Sequence, residues 1–161
     1  MLIYRSTQPH VAVLGRVPDT DYYRNLKRFE ELENRPDLLI IRFDAELYFA
    51  NTEFFTEKLN QLIAAKGSKL KSLILNAESI NGIDSTAMHA IEDQVKKLEK
   101  EGIRWLWCDV KGPVRDQLER AGLTQKIGPE NFFIGIQDAV DRLDHNEDIK
   151  HQKYTLQTNI K

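Results

Sequence analysis

A single cysteine, Cys108, stands among 161 residues, so the chain can form neither an internal disulfide nor a cysteine zinc cluster, which fits a reducing compartment. Long hydrophobic runs are also missing. The longest aliphatic stretch is Leu38-Leu39-Ile40-Ile41, far short of the roughly 18 apolar residues of a membrane span, and no charged-then-apolar leader opens the sequence. Neither sign of charge dominates. With 23 basic and 25 acidic residues the net charge is -2, which removes the positive field that generic nucleic-acid binding requires. There is no G-x-G-x-x-G and no Walker loop, so no cofactor is implied. His10, His89, His145 and His151 never fall at i, i+3 or i+4 to one another, so no metal-ligand pair is readable.

What is present is the composition of one globular domain, 41% hydrophobic and 30% charged, at a length where a folded chain buries roughly 70% of its unfolded surface. Val11 to about Val17 reads as a first strand. Behind Asp19-Thr20-Asp21, the helical spacing of Tyr22, Leu26 and Phe29 suggests a turn or two of helix. Leu38 to Asp44 is a strand apolar at nearly every position, as a central strand covered on both faces must be. Asn51 is placed to cap a helix carrying Phe55, Leu59, Leu62 and Ile63, which stops at Gly67-Ser68. A strand from Leu70 to Ala77 leads to a helix from Asp84 to Glu101, with Ala87, Met88, Ile91, Val95 and Leu98 on one face and Gly102 as its stop. A strand from Ile103 to Val110 precedes a Gly112-Pro113 helix with Val114, Leu118 and Ala121 inward. Phe132-Phe133 reads as a short edge strand before a last helix with Ile136, Ala139, Val140 and Leu143. The fold class is α/β, a mixed sheet of four to five strands flanked by about four helices, its first strand antiparallel. The domain is expected over residues 5–144, with 145–161 a disordered tail.

Sites in α/β sheets gather beyond the carboxyl ends of strands. Asp44, Asn76, Asp84 with Ser85 and Thr86, and Asp109 with Lys111 belong there. Asp84 sits where an N-cap is needed, leaving the hydroxyls of Ser85 and Thr86 in the first helical turn, where unpaired N–H groups tolerate a phosphate. The same residues serve equally as plain caps. Lys111 and Gly112, at the next helix start, are candidates for an anion site. Cys108 lies among bulky apolar neighbours, as an inert thiol does. Asp44 and Asp109 resemble phosphatase placements, but neither belongs to an Asp-x-Asp pair. Trp105 and Trp107, two apart on one strand, read as core. Of the doublets Phe54-Phe55 and Phe132-Phe133, one member each should face the core and the other an interface.

Several stretches resemble a known family. Pro9-His10-Val11-Ala12-Val13-Leu14-Gly15-Arg16-Val17-Pro18-Asp19-Thr20-Asp21-Tyr22-Tyr23-Arg24 and Ile41-Arg42-Phe43-Asp44-Ala45-Glu46-Leu47-Tyr48-Phe49-Ala50-Asn51 resemble the STAS domain at the C-terminus of SulP-type anion transporters. So do Gly82-Ile83-Asp84-Ser85-Thr86-Ala87, Val110-Lys111-Gly112-Pro113-Val114-Arg115 and Asp138-Ala139-Val140, in the right order over about residues 5–143. The resemblance implies the STAS fold, with residues 19–37 extended rather than helical, and that expectation takes precedence over the helical spacing. It implies a non-enzymatic regulatory domain on the cytoplasmic face of the inner membrane, continuing upstream of Tyr4 into a membrane domain that carries sulfate, bicarbonate or a related anion. Met1 to Ile3 would be the last trace of that linker. The membrane domain is then the first partner, and pairing with a second copy and contact with a cytosolic regulatory protein stay open. The long insertion of animal members is absent between Ala65 and Leu70, which favours a bacterial-type member.

The Asp-Ser-Thr motif is shared with free-standing anti-sigma-factor antagonists, in which the serine after the aspartate takes the phosphate. This maps to Ser85, with Ala87 where that branch usually has glycine. The alternative reading is therefore such an antagonist, switched by phosphorylation of Ser85. A small phosphate-processing enzyme using Asp44 or Asp109 stands behind both.

Overall fold

The structure, a computed structural model, describes residues 7–145. The expectations for the tail beyond His145 and for the linker at Met1 to Ile3 lie outside these residues. In chain order the elements are β1 (Val11–Arg16), β2 (Tyr23–Asn25), β3 (Leu38–Phe43), α1 (Thr52–Lys66), β4 (Ser72–Asn76), α2 (Ser85–Glu101), β5 (Arg104–Cys108), α3 (Gly112–Arg120), α4 (Leu123–Ile127), β6 (Phe132–Phe133) and α5 (Ile136–Asp144). They build a six-stranded sheet in the order β2-β1-β3-β4-β5-β6. Strands β3 to β6 run parallel, and β1 pairs antiparallel with β3 and with β2, so the sheet is mixed.

Register explains why the central strands are apolar at successive positions. Leu39 aligns with Leu73 and Trp105, and Ile41 with Leu75 and Trp107; these point to one face. Ile40, Ile74 and Leu106 align on the other. Helices α1 to α4 cover the first face, burying Phe55 and Leu59, Ala87, Ile91, Val95 and Leu98, Val114 and Leu118, then Leu123 and Ile127. Among the described residues only α5 supplies helical residues to the second core, through Ile136, Ala139 and Val140. Because side chains alternate between faces along a strand, both faces of a buried strand must be apolar.

Four expectations need correction. The sheet has six strands because β2 adds an edge strand where helical spacing was read; the segment is extended, as the family resemblance implied. Tyr22 and Phe29, which would have formed the helical stripe, are exposed. Gly15 makes this route possible: a Cβ there would lie 2.6 Å from Leu26 Cδ2 and 2.7 Å from the Glu33 carbonyl oxygen. The strap after β2 is then fastened to β1, with Arg16 N–H donating to the Glu33 carbonyl at 3.2 Å and Glu33 N–H to the Arg16 carbonyl at 2.9 Å. Second, Phe132 and Phe133 are both buried, because even this edge strand is covered on both faces; Phe132 packs 6.2 Å from Trp107, while Phe133 enters the second core. Third, α3 ends at Arg120, so Ala121 lies past its inward face and is exposed. Fourth, α4 went unread: a five-residue helix between two positive-φ glycines, Gly122 and Gly128, is too short to show periodicity.

Candidate functional site

The carboxyl ends of β3, β4 and β5 open onto three loops, and the loop before α2 is the most firmly held. Its Gly82 carbonyl accepts from Leu47 N–H at 3.0 Å, and Asp84 N–H donates back to the Leu47 carbonyl at 3.0 Å. Ile83 N–H donates to Gln117 Oε1 of α3 at 3.1 Å. Ile80 and Ile83 anchor the loop in the larger core. Asp84 then adopts extended backbone, φ -84° and ψ 176°, and caps α2. Its Oδ1 accepts from Ala87 N–H at 2.9 Å, filling one of the donors that a helix start leaves open. Its Oδ2 accepts from Phe49 N–H at 2.8 Å, so one carboxylate joins two loops.

With Asp84 turned to these backbone groups, Ser85 and Thr86 stand exposed in the first turn of α2. Phe49 joins them at the surface. It is 72% exposed, the most exposed large hydrophobic side chain among the described residues, and rests edge-on against Tyr48 at 5.5 Å. Phe49 was not singled out by sequence reasoning, which met it only as part of the Leu47 to Asn51 segment. Asn51 also differs from expectation. It occupies the N-cap position of α1 but makes no side-chain cap; instead Oδ1 accepts from Tyr48 N–H at 3.1 Å and Nδ2 donates to the Glu46 carbonyl at 2.7 Å. Buried completely, it shapes the turn that presents Phe49.

Lys111 holds the N-cap position of α3, with Pro113 in the first turn and no side-chain cap. Its Nζ donates to Asn81 Oδ1, in the loop that leads to Asp84, which brings the two helix starts into one neighbourhood. Gly112 follows it half-buried, with open space where a Cβ would stand beyond Arg115 Nη2 at 3.9 Å. The remaining candidates have structural partners. Asp44 is forked by Arg42, at 2.7 and 3.1 Å, and accepts from or pairs with His10 Nδ1 at 2.8 Å. Burial pushes its carboxyl up, but the Arg42 and His10 bonds outweigh that together and hold it below the usual aspartate range. Asp109 is the opposite case: burial, then the Glu78 charge, push its carboxyl up. Cys108 is fully buried and its thiol is pushed well up by burial, so no thiolate is available. Trp105 and Trp107 pack with ring centres 5.1 Å apart and planes tilted at 44° in the core, and His89 is an exposed residue of α2. Among the described residues no group of three His, Cys, Asp or Glu could hold a metal ion.

The arrangement is thus a braced helix start with two exposed hydroxyls and an exposed aromatic. Comparison with known proteins agrees on the family. The family model described as STAS domain matches residues 30–139, more than half of the chain. The chain belongs to the STAS domain family. This STAS domain is similar to a probable sulfate transporter, 4.2, of Arabidopsis thaliana, 34% identical over 148 residues covering 86% of this chain. It spans only 22% of that relative's length. Among solved structures, the murine solute carrier 26 family member A9 anion transporter superposes with a TM-score of 0.81 at 24% identity, over 89% of this chain and 23% of that one. The anti-sigma factor antagonist SpoIIAA in its unphosphorylated form superposes with a TM-score of 0.56 at 19% identity, over 70% of this chain and 92% of that one. Both likenesses speak for the fold. Among the described residues, no helix of the domain is long and apolar enough to cross a membrane.

Proposed function

We propose that this STAS domain is the cytoplasmic regulatory part of a SulP-type secondary transporter of sulfate or a related anion, and that it acts through contacts, without chemistry of its own. The observation that carries this reading is the 34% identity to a probable sulfate transporter across 86% of the chain. The domain's contribution is a surface at the α2 start: Asp84 fixes the loop, and Ser85, Thr86 and Phe49 are what a partner meets. That partner is first the membrane domain of the same polypeptide, and through it a second copy. A cytosolic regulatory protein would read the same surface.

Chemistry at Ser85 would regulate such a contact. A phosphate there adds nearly two negative charges beside the Asp84 carboxylate while the helix start offers N–H donors and partial positive charge, so the modification is tolerated by the fold and felt by the partner. Lys111 and Gly112 lie one loop away, and their open helix start supports a contact with an anionic group of the partner.

The test is sulfate uptake by the transporter that carries this domain, with and without residues 7–145. Loss of uptake rate or of surface assembly is the expected result; unchanged uptake and assembly would overturn it. Titration of sulfate into the isolated chain should give no saturable heat, and micromolar binding would place an anion site where this reading has none. A second reading, a phosphorylation-switched antagonist, draws support from the exposure of Ser85 directly after its capping aspartate. It expects Ser85→Glu to abolish binding of the partner kinase and Ser85→Ala to keep it; equal binding by both removes that reading.

A further inference from the structure

On the face of the sheet covered by α5, away from the α2 start, lies a cavity of about 160 Å³. Its floor is apolar. Leu14 of β1, Leu38 and Ile40 of β3 and Val140 of α5 line it, all members of the second core. Its rim is polar and braced from several sides. The Glu33 backbone is paired with Arg16; Arg35 spans the mouth, with two bonds to Asp37 at 3.0 and 2.8 Å and one to Asp144 at the end of α5 at 2.6 Å. Lys66 fastens the strap from behind through Asn34 Oδ1 at 2.6 Å and the Arg35 carbonyl. Tyr23 donates to Gln137 Oε1 at 2.7 Å. A rim tied to β1, α1 and α5 holds its shape before any ligand arrives, as binding pockets do.

Within that rim the donors are unevenly committed. The Arg35 guanidinium, the Lys66 ammonium and the Tyr23 hydroxyl have acceptors. Arg16 is different. Its Nε is buried and 3.0 Å from Glu33 Oε2, yet that contact does not make a hydrogen bond, so a buried charged donor is left without an acceptor. Leaving such a group unsatisfied is costly, and an acceptor placed in the cavity would relieve it. Among the described residues Glu33 is the only carboxylate paired with Arg16, and at 47% exposure its side chain can give way to water.

We propose that this cavity binds a small monoanion with an apolar body, its carboxylate on Arg16 and its body on the Leu14, Leu38, Ile40 and Val140 floor. The size is right for such a body: an enclosed apolar space of about 150 Å³ admits a benzene ring. The charge is set by Arg16, whose planar guanidinium is suited to a carboxylate. Nothing in this proposal uses Ser85 or the transporter reading, so the two stand or fall separately.

Benzoate, benzyl alcohol and acetate, titrated into the isotope-labelled full chain and followed by amide chemical shifts, test it. Benzoate should shift the amides of Leu14, Arg16, Tyr23 and Val140 saturably. Benzyl alcohol, which keeps the body and loses the charge, should bind about tenfold or more weakly, as should acetate, which keeps the charge and loses the body. Arg16→Gln should weaken benzoate about tenfold and leave benzyl alcohol unchanged, while Val140→Phe should remove both by filling the floor. The spectra show whether each variant is folded, and Arg16→Gln, at a partly exposed side chain, decides the matter if Val140→Phe is not. Shifts mapping elsewhere, no saturation by benzoate, or equal binding of benzoate and benzyl alcohol would overturn the proposal.

Discussion

Two aspartates stand at the carboxyl edge of the same sheet, Asp84 after β4 and Asp109 after β5, each just ahead of a helix. Their circumstances are opposite. Asp84 has extended backbone, and each carboxylate oxygen accepts from a backbone N–H, one in its own helix and one in the neighbouring loop. Asp109 sits at φ 55°, in the left-handed region that glycine, and less often asparagine and aspartate, adopt. Its Oδ2 accepts from Asn76 Nδ2 at 3.1 Å, and burial, then the Glu78 charge, work against its ionised form. Position in the fold therefore does not decide what an acidic residue contributes. The donors it meets do, and by that measure the α2 start is built around its carboxylate while the approach to α3 is built in spite of one.

The largest effect should come from Asp84→Ala. Losing an N-cap costs about 1 kcal/mol, and the Phe49 N–H loses its acceptor at about 0.5–1 kcal/mol, so unfolding by urea should show a loss of about 2 kcal/mol. Asp84→Asn sharpens this. Its oxygen can still cap Ala87, but its amide cannot accept from Phe49, so about half of the loss should return. A loss below about 0.5 kcal/mol for Asp84→Ala would break the comparison at its strong end.

Asp109→Asn should act in the other direction. Asparagine keeps an acceptor for Asn76, suits positive φ and carries no charge to be desolvated, so at neutral pH it should stabilise by about 0.5–1 kcal/mol. The pH dependence identifies the cause. A carboxyl whose pKa is raised in the folded state favours folding while protonated and loses that advantage as pH rises through the raised value. The gain of Asp109→Asn over the native protein should therefore be present at pH 7 and shrink as pH falls toward the ordinary aspartate value of 3.8. A gain that persists unchanged in acid would trace to backbone strain instead of charge.

This contrast marks how far the sequence could be read. Asp84 was legible because N-capping is local: the acceptor and the donor it serves are three residues apart, and Gly82 to Ala87 spells out a loop entering a helix. The central strands were legible from Leu38 to Phe43 and Trp105 to Cys108, where successive apolar residues leave only a strand buried on both faces. Phe49 and Asp109 were not, because their roles depend on residues about 35 positions away or on a dihedral angle. The same holds for β2, whose pairing relies on Gly15 letting the following strap close over it, a contact invisible to periodicity. Arg16 and Val140 meet across a cavity only once α5 is laid on the sheet.

Ser85→Glu should change stability by less than about 0.5 kcal/mol, because the side chain is exposed and the helix dipole offsets repulsion from Asp84. That small value matters for the proposed function. If thermal unfolding of Ser85→Glu matches the native protein while transport or partner binding changes, the loop transmits charge without melting. If the variant unfolds early, any functional effect is loss of the domain, and Asp84 and Ser85 cease to be separable.

The smallest effect should be that of Lys111→Ala, and its smallness has two sources that can be weighed. Removing Nζ gives up the bond to Asn81 Oδ1, at a solvent-exposed site worth about 0.5 kcal/mol. It also removes a cation from a helix start, where the dipole disfavours positive charge by about 0.3–0.5 kcal/mol. These nearly cancel, so urea unfolding should place Lys111→Ala within about 0.5 kcal/mol of the native protein, against about 2 kcal/mol for Asp84→Ala. Salt separates the two contributions, because added electrolyte screens the dipole contribution and leaves the lost hydrogen bond, so Lys111→Ala should become slightly more costly at high ionic strength. If instead it costs more than about 1 kcal/mol, Lys111 braces the Asn81 loop as Asp84 does, and the two helix starts are one cooperative unit.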